Sequence, residues 1–336
     1  MNKGFIALIS SIAVLFILAL VLSNSNEGEG HNEAQALLPA LKSHINEVAA
    51  IDIQQGEKTL RLKKNGEAWI VAEKQYPADF NKIRALLLEL FELKKLEAKT
   101  KKAESYAKLG VQDITKDSPG KQITIEDNTG TRVTSVILGN DKPGMPPMLY
   151  ARLKDDPQSW LVSGRVSLNV DSSHWLNKEL ANVSQAEIKR VEVRHPNSAT
   201  YSIAKEKKED KEYLLKNKGK SKEFKSQNEA LGIARSLASL NFADVVPAKS
   251  KELNEKNAIV SLFDTFDGLR VQIKSYAEKD QYWSIFSASK TDEKNVDTVV
   301  QQKIDSLNSK WKDWVYRVDN FKFNAYTKKL DDIVKK

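Results

Sequence analysis

Residues 4–22 form an uncharged stretch, and this feature constrains the chain more than any other. Ser10 and Ser11 are its only polar side chains. As a helix rising 1.5 Å per residue the stretch would span about 28 Å, close to the hydrocarbon thickness of a bilayer, about 30 Å. A helix of this length in a soluble protein would need a polar face, and this stretch has none. We therefore predict a transmembrane anchor over residues 1–23.

The charges around the stretch predict its orientation. Lys3 precedes it and Glu27 and Glu29 follow it, so the positive-inside rule places the N-terminus in the cytoplasm. The alternative is a cleaved signal peptide with its cleavage site at Ser23 or Ser25. Either alternative leaves the rest of the chain outside the cytoplasm.

The composition excludes several kinds of chemistry. The chain of 336 residues has no cysteine, which rules out disulfides, thiolate zinc sites, iron–sulfur clusters and thiol nucleophiles. None of the four histidines lies within a helical turn of another, so no short metal-binding motif exists. Four Ser-x-x-Lys sequences lack the Ser-Asp-Asn and Lys-Thr-Gly elements of penicillin-binding enzymes. We therefore predict no catalytic, metal-binding or cofactor-binding residue, no cofactor, and no enzymatic activity.

The net charge of +8 comes from 53 basic and 45 acidic residues. In an exported protein we expect no nucleic-acid partner from this excess. A lysine-rich solvated surface accounts for it, and attraction to anionic lipid headgroups or cell-wall polymers is the alternative.

The segments after the anchor show a change of pattern. Residues 24–44 are polar, acidic and glycine-containing at their start, which predicts a flexible tether. Alternating apolar residues then flank Asn65-Gly66, a strong hairpin signal, and predict three antiparallel strands. Asp79 follows as a helix N-cap, and apolar residues at helical spacing continue to residue 91. Further strands are predicted at 123–125, 133–138, 149–153 and 160–162.

The same order recurs 140 residues later. Ile188, Val191 and Val193 correspond to residues 48, 51 and 53, and a helix over 227–240 corresponds to the first one. The fold class predicted is therefore α+β: one N-terminal transmembrane helix followed by two similar antiparallel-sheet-plus-helix units. The first unit covers residues 45–180, and the second covers 184–336 with a C-terminal aromatic tail.

The tail contains Trp311 and Trp314, three residues apart, on a predicted helix that runs into an extended segment. Two large aromatic side chains this close bury a large area. We expect both to be mostly buried against the second unit. An exposed aromatic docking patch is the alternative.

An ordered series of short motifs runs along the chain and resembles a bacterial family, domain of unknown function 4340. The motifs are Gly66-Glu67-Ala68-Trp69, Pro77-Ala78-Asp79, Leu109-Gly110, Leu138-Gly139, Tyr150-Ala151-Arg152, Trp175-Leu176-Asn177-Lys178 and Trp314-Val315-Tyr316-Arg317. We expect structural roles for the motif residues Trp69, Pro77, Asp79, Gly110, Gly139, Tyr150, Arg152, Trp175, Trp314, Tyr316 and Arg317.

The resemblance implies a location and a set of partners. Members of that family are membrane-anchored extracytoplasmic proteins, often encoded beside an ABC-transporter ATPase, a permease and a gliding-motility-type auxiliary protein. It implies a single-pass protein of the bacterial inner (plasma) membrane with a periplasmic or extracytoplasmic C-terminal region. We therefore expect a non-catalytic auxiliary or scaffolding protein that contacts an ABC-transporter permease or its gliding-type auxiliary protein. The alternative is a free-standing periplasmic or cell-surface binding module for cell-wall polymer or anionic lipid.

Overall fold

A computed structural model describes residues 35–216, 223–291 and 297–335. The chain divides into two compact units, of which unit 1 ends at Leu176 and unit 2 begins at Asn177. The predicted anchor over residues 1–23 and the first part of the predicted tether lie outside the described residues. Within the described part of the chain, no helix is long and apolar enough to cross a membrane.

The predicted fold class needs correction. Antiparallel strands make up most of the regular secondary structure of the described chain, in two large sheets and one two-stranded sheet. The sequence pattern overstated the helical content, since the helix predicted over 227–240 ends at Ala234. Ser239 then adopts a positive φ of 48°, and the chain continues as strand. The class of one transmembrane helix followed by sheet-plus-helix units is therefore replaced by mainly antiparallel sheet.

Unit 1 contains one nine-stranded sheet with the order β4-β3-β2-β1-β6-β7-β8-β9-β5. Its strands are β1 Val48–Gln55, β2 Lys58–Asn65, β3 Ala68–Val71, β4 Tyr76–Pro77, β5 Lys94–Ala98, β6 Lys121–Asp127, β7 Arg132–Lys142, β8 Met148–Leu153 and β9 Ser159–Ser163. Its helices are α1 Pro39–His44, α2 Phe80–Phe91, α3 Tyr106–Leu109 and α4 Ser172–Trp175.

The alternating apolar residues of unit 1 form the centre of its sheet. Ile51 and Ile53 on β1 pair with Leu62 and Leu60 on β2, and all four side chains are buried. The predicted hairpin at Asn65-Gly66 is confirmed, because Asn65 pairs with Ala68 across a turn in which Gly66 has a φ of 63°. A residue with a Cβ would be strained at that φ.

The helix predicted after Asp79 is confirmed as α2. The Asp79 side chain accepts a hydrogen bond from the backbone N–H of Asn81 and so caps the helix. Ile83, Leu86 and Leu90 form its buried stripe. Lys94 and Lys95, which follow this helix closely in the sequence, lie on the edge strand β5.

The end of the predicted tether is part of unit 1. Residues 39–44 form α1, and Leu37 and Leu41 are fully buried. The N–H of Leu37 donates to the carbonyl of Leu93 at 2.8 Å, and the N–H of Lys95 donates to the carbonyl of Gln35 at 2.8 Å. These bonds pair residues 35–37 with the edge of the sheet at β5.

Unit 2 contains an eight-stranded sheet with the order β13-β12-β11-β16-β17-β18-β19-β15, and a two-stranded sheet of β10 and β14. Its strands are β10 Glu179–Ala181, β11 Ile188–Arg194, β12 Tyr201–Ala204, β13 Leu214–Lys216, β14 Leu240–Asn241, β15 Asp244–Pro247, β16 Ile259–Thr265, β17 Leu269–Glu278, β18 Gln281–Lys290 and β19 Trp314–Arg317. Its helices are α5 Gln227–Ala234, α6 Thr298–Trp311, α7 Asn320–Tyr326 and α8 Leu330–Ile333.

Eight strands of each large sheet follow the same order. In both units the first strand of the large sheet, β1 or β11, lies between two hairpins. It pairs on one side with β2 or β12, in the hairpin that precedes the helix, and on the other side with β6 or β16, which begins the next long hairpin. The units differ before the last of these eight strands along the chain, β9 or β19. β9 follows β8 after a short turn, whereas α6 lies between β18 and β19.

The two tail tryptophans differ in burial. Trp311, the last residue of α6, is fully buried, and its indole Nε1 donates to the carbonyl of Leu180 at 3.2 Å. Trp314, on β19, is only partly buried. The expectation of burial is confirmed for Trp311. Its indole ring packs α6 against β18 in the interior of unit 2.

Candidate functional site

The motif residue Arg152 lies at the centre of a buried contact in unit 1. It projects from β8, is 5% exposed, and donates from Nε to the carbonyl of Val111 at 2.9 Å. Its Nη2 donates to the Asp113 carboxylate at 2.5 Å, and its guanidinium lies 4.6 Å from the centre of the Tyr106 ring. Lys154 also bonds Asp113, at 2.8 Å, and together with Arg152 holds the pKa of this carboxyl below its ordinary value. Arg152 thus fastens residues 99–119, called here the unit 1 strap, to the sheet.

The motif glycines allow the strap to approach the sheet backbone. A Cβ added at Gly139 would lie 2.2 Å from the carbonyl oxygen of Leu109, and one at Gly120 would lie 2.2 Å from that of Gly110. Gly110 itself has a φ of 71° at the end of α3. Tyr150 packs against the buried side chains of Tyr106, Val111 and Ile137. Backbone-to-backbone contact therefore requires glycine at these positions.

A second group of motif residues joins β3, β4 and α4. The N–H of Ala78 donates to the carbonyl of Trp69 at 2.8 Å, and Pro77 pairs with Ile70. The N–H of Asp79 donates to the carbonyl of Trp175 at 2.6 Å. Trp175 is 1% exposed, and these residues hold the start of α2 in place.

The third group lies on β19 of unit 2. Trp314, Tyr316 and Arg317 pair with Pro247, Val245 and Asp244 of β15. Tyr316 is fully buried, and its hydroxyl donates to the carbonyl of Lys310 at 3.1 Å. The eleven motif residues therefore form three separate structural groups, and the structure does not bring them together into one site.

The described residues include no group of three or more His, Asp or Glu side chains placed to hold a metal ion. One buried cation lies apart from the motif residues, Lys205, which is 5% exposed at the end of β12. Its Nζ lies 5.3 Å from the ring of Tyr213 and 5.6 Å from that of Phe266, and burial lowers its pKa. The space beside it is lined by residues of the loop between β12 and β13 and by Leu214 of β13.

An open cleft in unit 2 is the candidate functional site. It lies between α5 with the turn that follows it and α7 with the residues that follow that helix, and its volume is about 690 Å³. We call it the α5–α7 cleft. Its lining residues are Asn228, Gly232, Arg235, Ser236, Ala238, Phe321, Lys322, Asn324, Ala325 and Lys328.

Apolar surface forms most of the cleft. Phe321 is 81% exposed and supplies a large apolar side chain to the surface of the cleft. Gly232 of α5 also lines the cleft, and a Cβ added there would have no atom within 4 Å. The cleft therefore combines a large solvent-exposed apolar side chain with open space on α5.

Three cations lie in or around this apolar surface. Lys322 donates from Nζ to the carbonyl of Ala238 at 2.8 Å, and burial lowers its pKa. Lys328 pairs with Glu229 at 2.5 Å. Arg235 donates from Nε to the carbonyl of Leu231 at 3.4 Å. No carboxylate is among the described lining residues, but Glu229 neutralises Lys328, so Arg235 and Lys322 give the apolar cleft its positive border.

No sequence pattern points to this cleft. The tail pattern predicts aromatic burial at Trp311 and Trp314 and predicts no helix over residues 320–326. A usable signal was present, since Asp319 precedes α7 as its N-cap residue and Phe321 and Ala325 lie one turn apart. What no pattern shows is that this helix lies beside α5, which is about ninety residues earlier in the chain.

With the geometry established, comparison with protein families gives one result. The family described as "Domain of unknown function (DUF4340)" matches residues 69–258, more than half of the chain. The chain belongs to this family. The resemblance stated from the sequence motifs is thereby confirmed. Comparison with curated proteins finds no match, and comparison with solved structures finds none either.

The DUF4340 match places the candidate site in relation to the family. It begins at Trp69 on β3 and ends just before β16, so it covers the unit 1 strap, Arg152 and α5. Helix α7 and the motif residues of β19 follow the matched region. One wall of the α5–α7 cleft therefore lies within the family match and the other lies outside it.

Proposed function

We propose that this DUF4340 protein is a non-catalytic auxiliary or scaffolding protein of an ABC-type transport system. In this proposal it works outside the cytoplasm, at the bacterial plasma membrane, and contacts the permease or its gliding-type auxiliary protein. The observation that carries the proposal is the α5–α7 cleft with its exposed Phe321.

An exposed aromatic side chain in an apolar depression supports action by contact. Binding energy in protein interfaces is concentrated in a few large side chains, with aromatics and Arg enriched among them. Phe321 and Arg235 both line the cleft. The motif residues, by contrast, are engaged within the fold, as Arg152 and Trp175 illustrate at 5% and 1% exposure.

The transport context of the proposal comes from the family resemblance, and the location comes from the sequence. Residues 4–22 carry no charge, which suits attachment to a membrane. The proposal requires partners, because an auxiliary protein supplies neither the pore nor the energy source of a transporter.

Co-purification tests the proposal. A C-terminal tag on the full chain, solubilised in mild detergent, is expected to retain the permease or its auxiliary protein. Phe321→Ala is expected to lose this partner, whereas Phe80→Ala, which truncates a 45% exposed phenylalanine of unit 1, is expected to keep it. Purification as a lone species in several mild detergents would contradict the proposal.

A second candidate is a free-standing module that binds cell-wall polymer or anionic lipid. The positive border of the cleft, with Arg235 and Lys322, favours it, since cations attract anionic surfaces. Sedimentation with anionic and neutral vesicles distinguishes the candidates. Retention on anionic vesicles that is lost in Arg235→Glu, without any co-purifying transport protein, would favour the binding module.

A further inference from the structure

The two walls of the α5–α7 cleft are helical faces. Asn228, Gly232 and Arg235 are spaced four and three residues apart along α5 and the turn that follows it. Phe321 and Ala325 are four residues apart on α7, and Lys328 follows the end of that helix. Side chains at these spacings lie on one face of a helix. A groove between two such faces is the form that receives an amphipathic helix in known recognition modes.

The length of the groove sets the size of the guest. α5 has eight residues and α7 has seven, so each wall is about two turns, or about 12 Å, long. A guest helix would therefore contact the cleft through apolar residues on two turns, at positions i, i+3, i+4 and i+7. The open space at Gly232 leaves room for a guest side chain against α5.

The charges of the cleft set the chemistry of the guest. The described lining residues include no carboxylate, and Glu229 neutralises Lys328, so Arg235 and Lys322 are the cations that make the border of the cleft positive. Acidic residues beside the guest's apolar stripe would face these cations, and complementary charge favours both encounter and correct register. A second copy of this chain offering the same surface would instead place like charges opposite each other.

We propose that the α5–α7 cleft binds an acidic amphipathic helix of a partner protein. This inference rests on the proposed function, in which the protein acts by contact, and it specifies the chemistry of the contacting segment. Phe321 is the apolar anchor of the complex, and Arg235 and Lys322 select for acidic flanks.

The test uses synthetic peptides and the full-length chain in a nonionic detergent. The first peptide has about 15 residues, the length at which isolated helices become marginally stable, with leucine at the i, i+3, i+4 and i+7 positions and glutamate at the exposed ones. The second peptide replaces every glutamate by lysine. Fluorescence anisotropy of labelled peptide measures both affinities. We expect the lysine peptide to bind at least about tenfold more weakly, and the affinity of the acidic peptide to fall with added salt.

Two variants locate the binding to the cleft. Phe321→Ala is expected to weaken binding of the acidic peptide by about tenfold or more, as for an anchor residue. Arg235→Glu is expected to reduce the preference for the acidic peptide over the lysine peptide. Both side chains are exposed, so both variants are expected to keep the circular dichroism spectrum and melting curve of the parent. Phe80→Ala is the matched control and is expected to bind as the parent does.

Several outcomes would overturn the inference. Equal affinity for the acidic and lysine peptides, or affinity unchanged in Phe321→Ala, would do so. Association of the full chain with itself that Phe321→Ala abolishes would assign the cleft to a second copy, and peptide displaced by anionic but not by neutral vesicles would assign it to lipid. The peptide assay needs no transport protein. It can therefore fail while co-purification succeeds, and succeed while co-purification fails, which separates this inference from the proposed function.

Discussion

The same face of the two large sheets is covered in two chemically different ways. Counting along the paired strands from β1 and β11 places Gly139 of β7 at the position that Tyr276 occupies in β17. The neighbouring position is Gly120 in unit 1 and Ala258 in unit 2. In unit 1 the strap backbone therefore rests directly on the sheet. In unit 2 side chains fill the space between the sheet and the segment that covers it, residues 248–258.

The fastening differs as well. The position of Arg152 in unit 1 is held by Ile285 in unit 2, within an apolar cluster built on Tyr276 and Trp283. Residues 248–258, the unit 2 strap, are held at their border by ion pairs of Lys251 with Glu278 and of Glu255 with Lys274, at 2.7 and 2.8 Å. One strand order thus supports a buried cation under one strap and an apolar cluster under the other.

Helices that have no counterpart in unit 1 make the largest structural difference between the units. Unit 2 has α6 between β18 and β19, and α7 and α8 follow the sheet. α6 supplies the fully buried Trp311, and α7 supplies the exposed Phe321. Of the two walls of the candidate site, α7 therefore lies outside the repeated order, whereas α5 follows the first hairpin of unit 2 as α2 does in unit 1.

The largest expected effect comes from Trp311→Ala. Removing a buried tryptophan costs about 3–5 kcal/mol, which lowers the melting temperature of a unit of this size by roughly 10 °C. Trp311 packs on Phe286, with ring centres 5.5 Å apart, so the loss falls on unit 2. Trp314→Ala is the matched control, and its partly buried side chain should cost clearly less. Equal shifts in calorimetry would contradict the assignment of Trp311 as the closing residue.

Gly139→Ala tests the backbone contact that is special to unit 1. The added methyl group would meet the Leu109 carbonyl at 2.2 Å, and we expect a loss of about 3 kcal/mol of unfolding free energy, as for overpacking against groups that cannot move aside. Gly232→Ala is the control: on α5 the new methyl group meets nothing, so we expect stabilisation by about 0.5–1 kcal/mol. Chemical denaturation of both variants measures the contrast. Tolerance of alanine at 139 would show that the strap does not lie against the sheet.

Arg152→Lys tests the fastening of the unit 1 strap. Lysine keeps the charge but cannot donate to the Val111 carbonyl and Asp113 together while stacking on Tyr106, so we expect a loss of about 2 kcal/mol. Arg132→Lys, at an exposed pair with Asp155, is expected to change stability by less than about 0.5 kcal/mol. If the two variants unfold at the same denaturant concentration, Arg152 does not fasten the strap.

The smallest expected effect is a shared acid sensitivity of the two straps. Lys154 and Arg152 lower the pKa of Asp113, and Lys274 and Tyr276 lower the pKa of Glu255. A lowered pKa in the folded state contributes stability above the ordinary pKa, and this stability is lost as the pH falls from about 4 through the lowered value. Both carboxylates are exposed, so each contribution should stay below about 1 kcal/mol.

Hydrogen exchange of the strap amides measures this effect. We expect faster exchange in residues 99–119 and 248–258 below about pH 4, after correction for the intrinsic rate. Asp113→Asn and Glu255→Gln should each remove the acid response of one strap and leave the other. A response that persists in both variants would assign it to other groups.

Much of the strand order could be predicted from the sequence because alternation marks half-buried strands. This holds for β1, where buried Ile51 and Ile53 alternate with more exposed residues, and for its counterpart β11. The edge strand β5 could not be found this way, because its five residues are mostly exposed and show no alternation. Burial of Arg152 was also beyond the pattern, since its partners Val111 and Asp113 lie about forty residues earlier in the chain.

Cross-linking from position 321 tests the central claim, that the α5–α7 cleft is the surface through which this protein contacts its partner. A photoreactive phenylalanine analogue replaces Phe321 in the full-length chain in cells, and the same analogue replaces Phe80 in a control. We predict that irradiation joins position 321 to the permease or its auxiliary protein, as identified by mass spectrometry, and that position 80 gives no such product. Equal products at both positions, or no transport protein joined at 321, would contradict the claim.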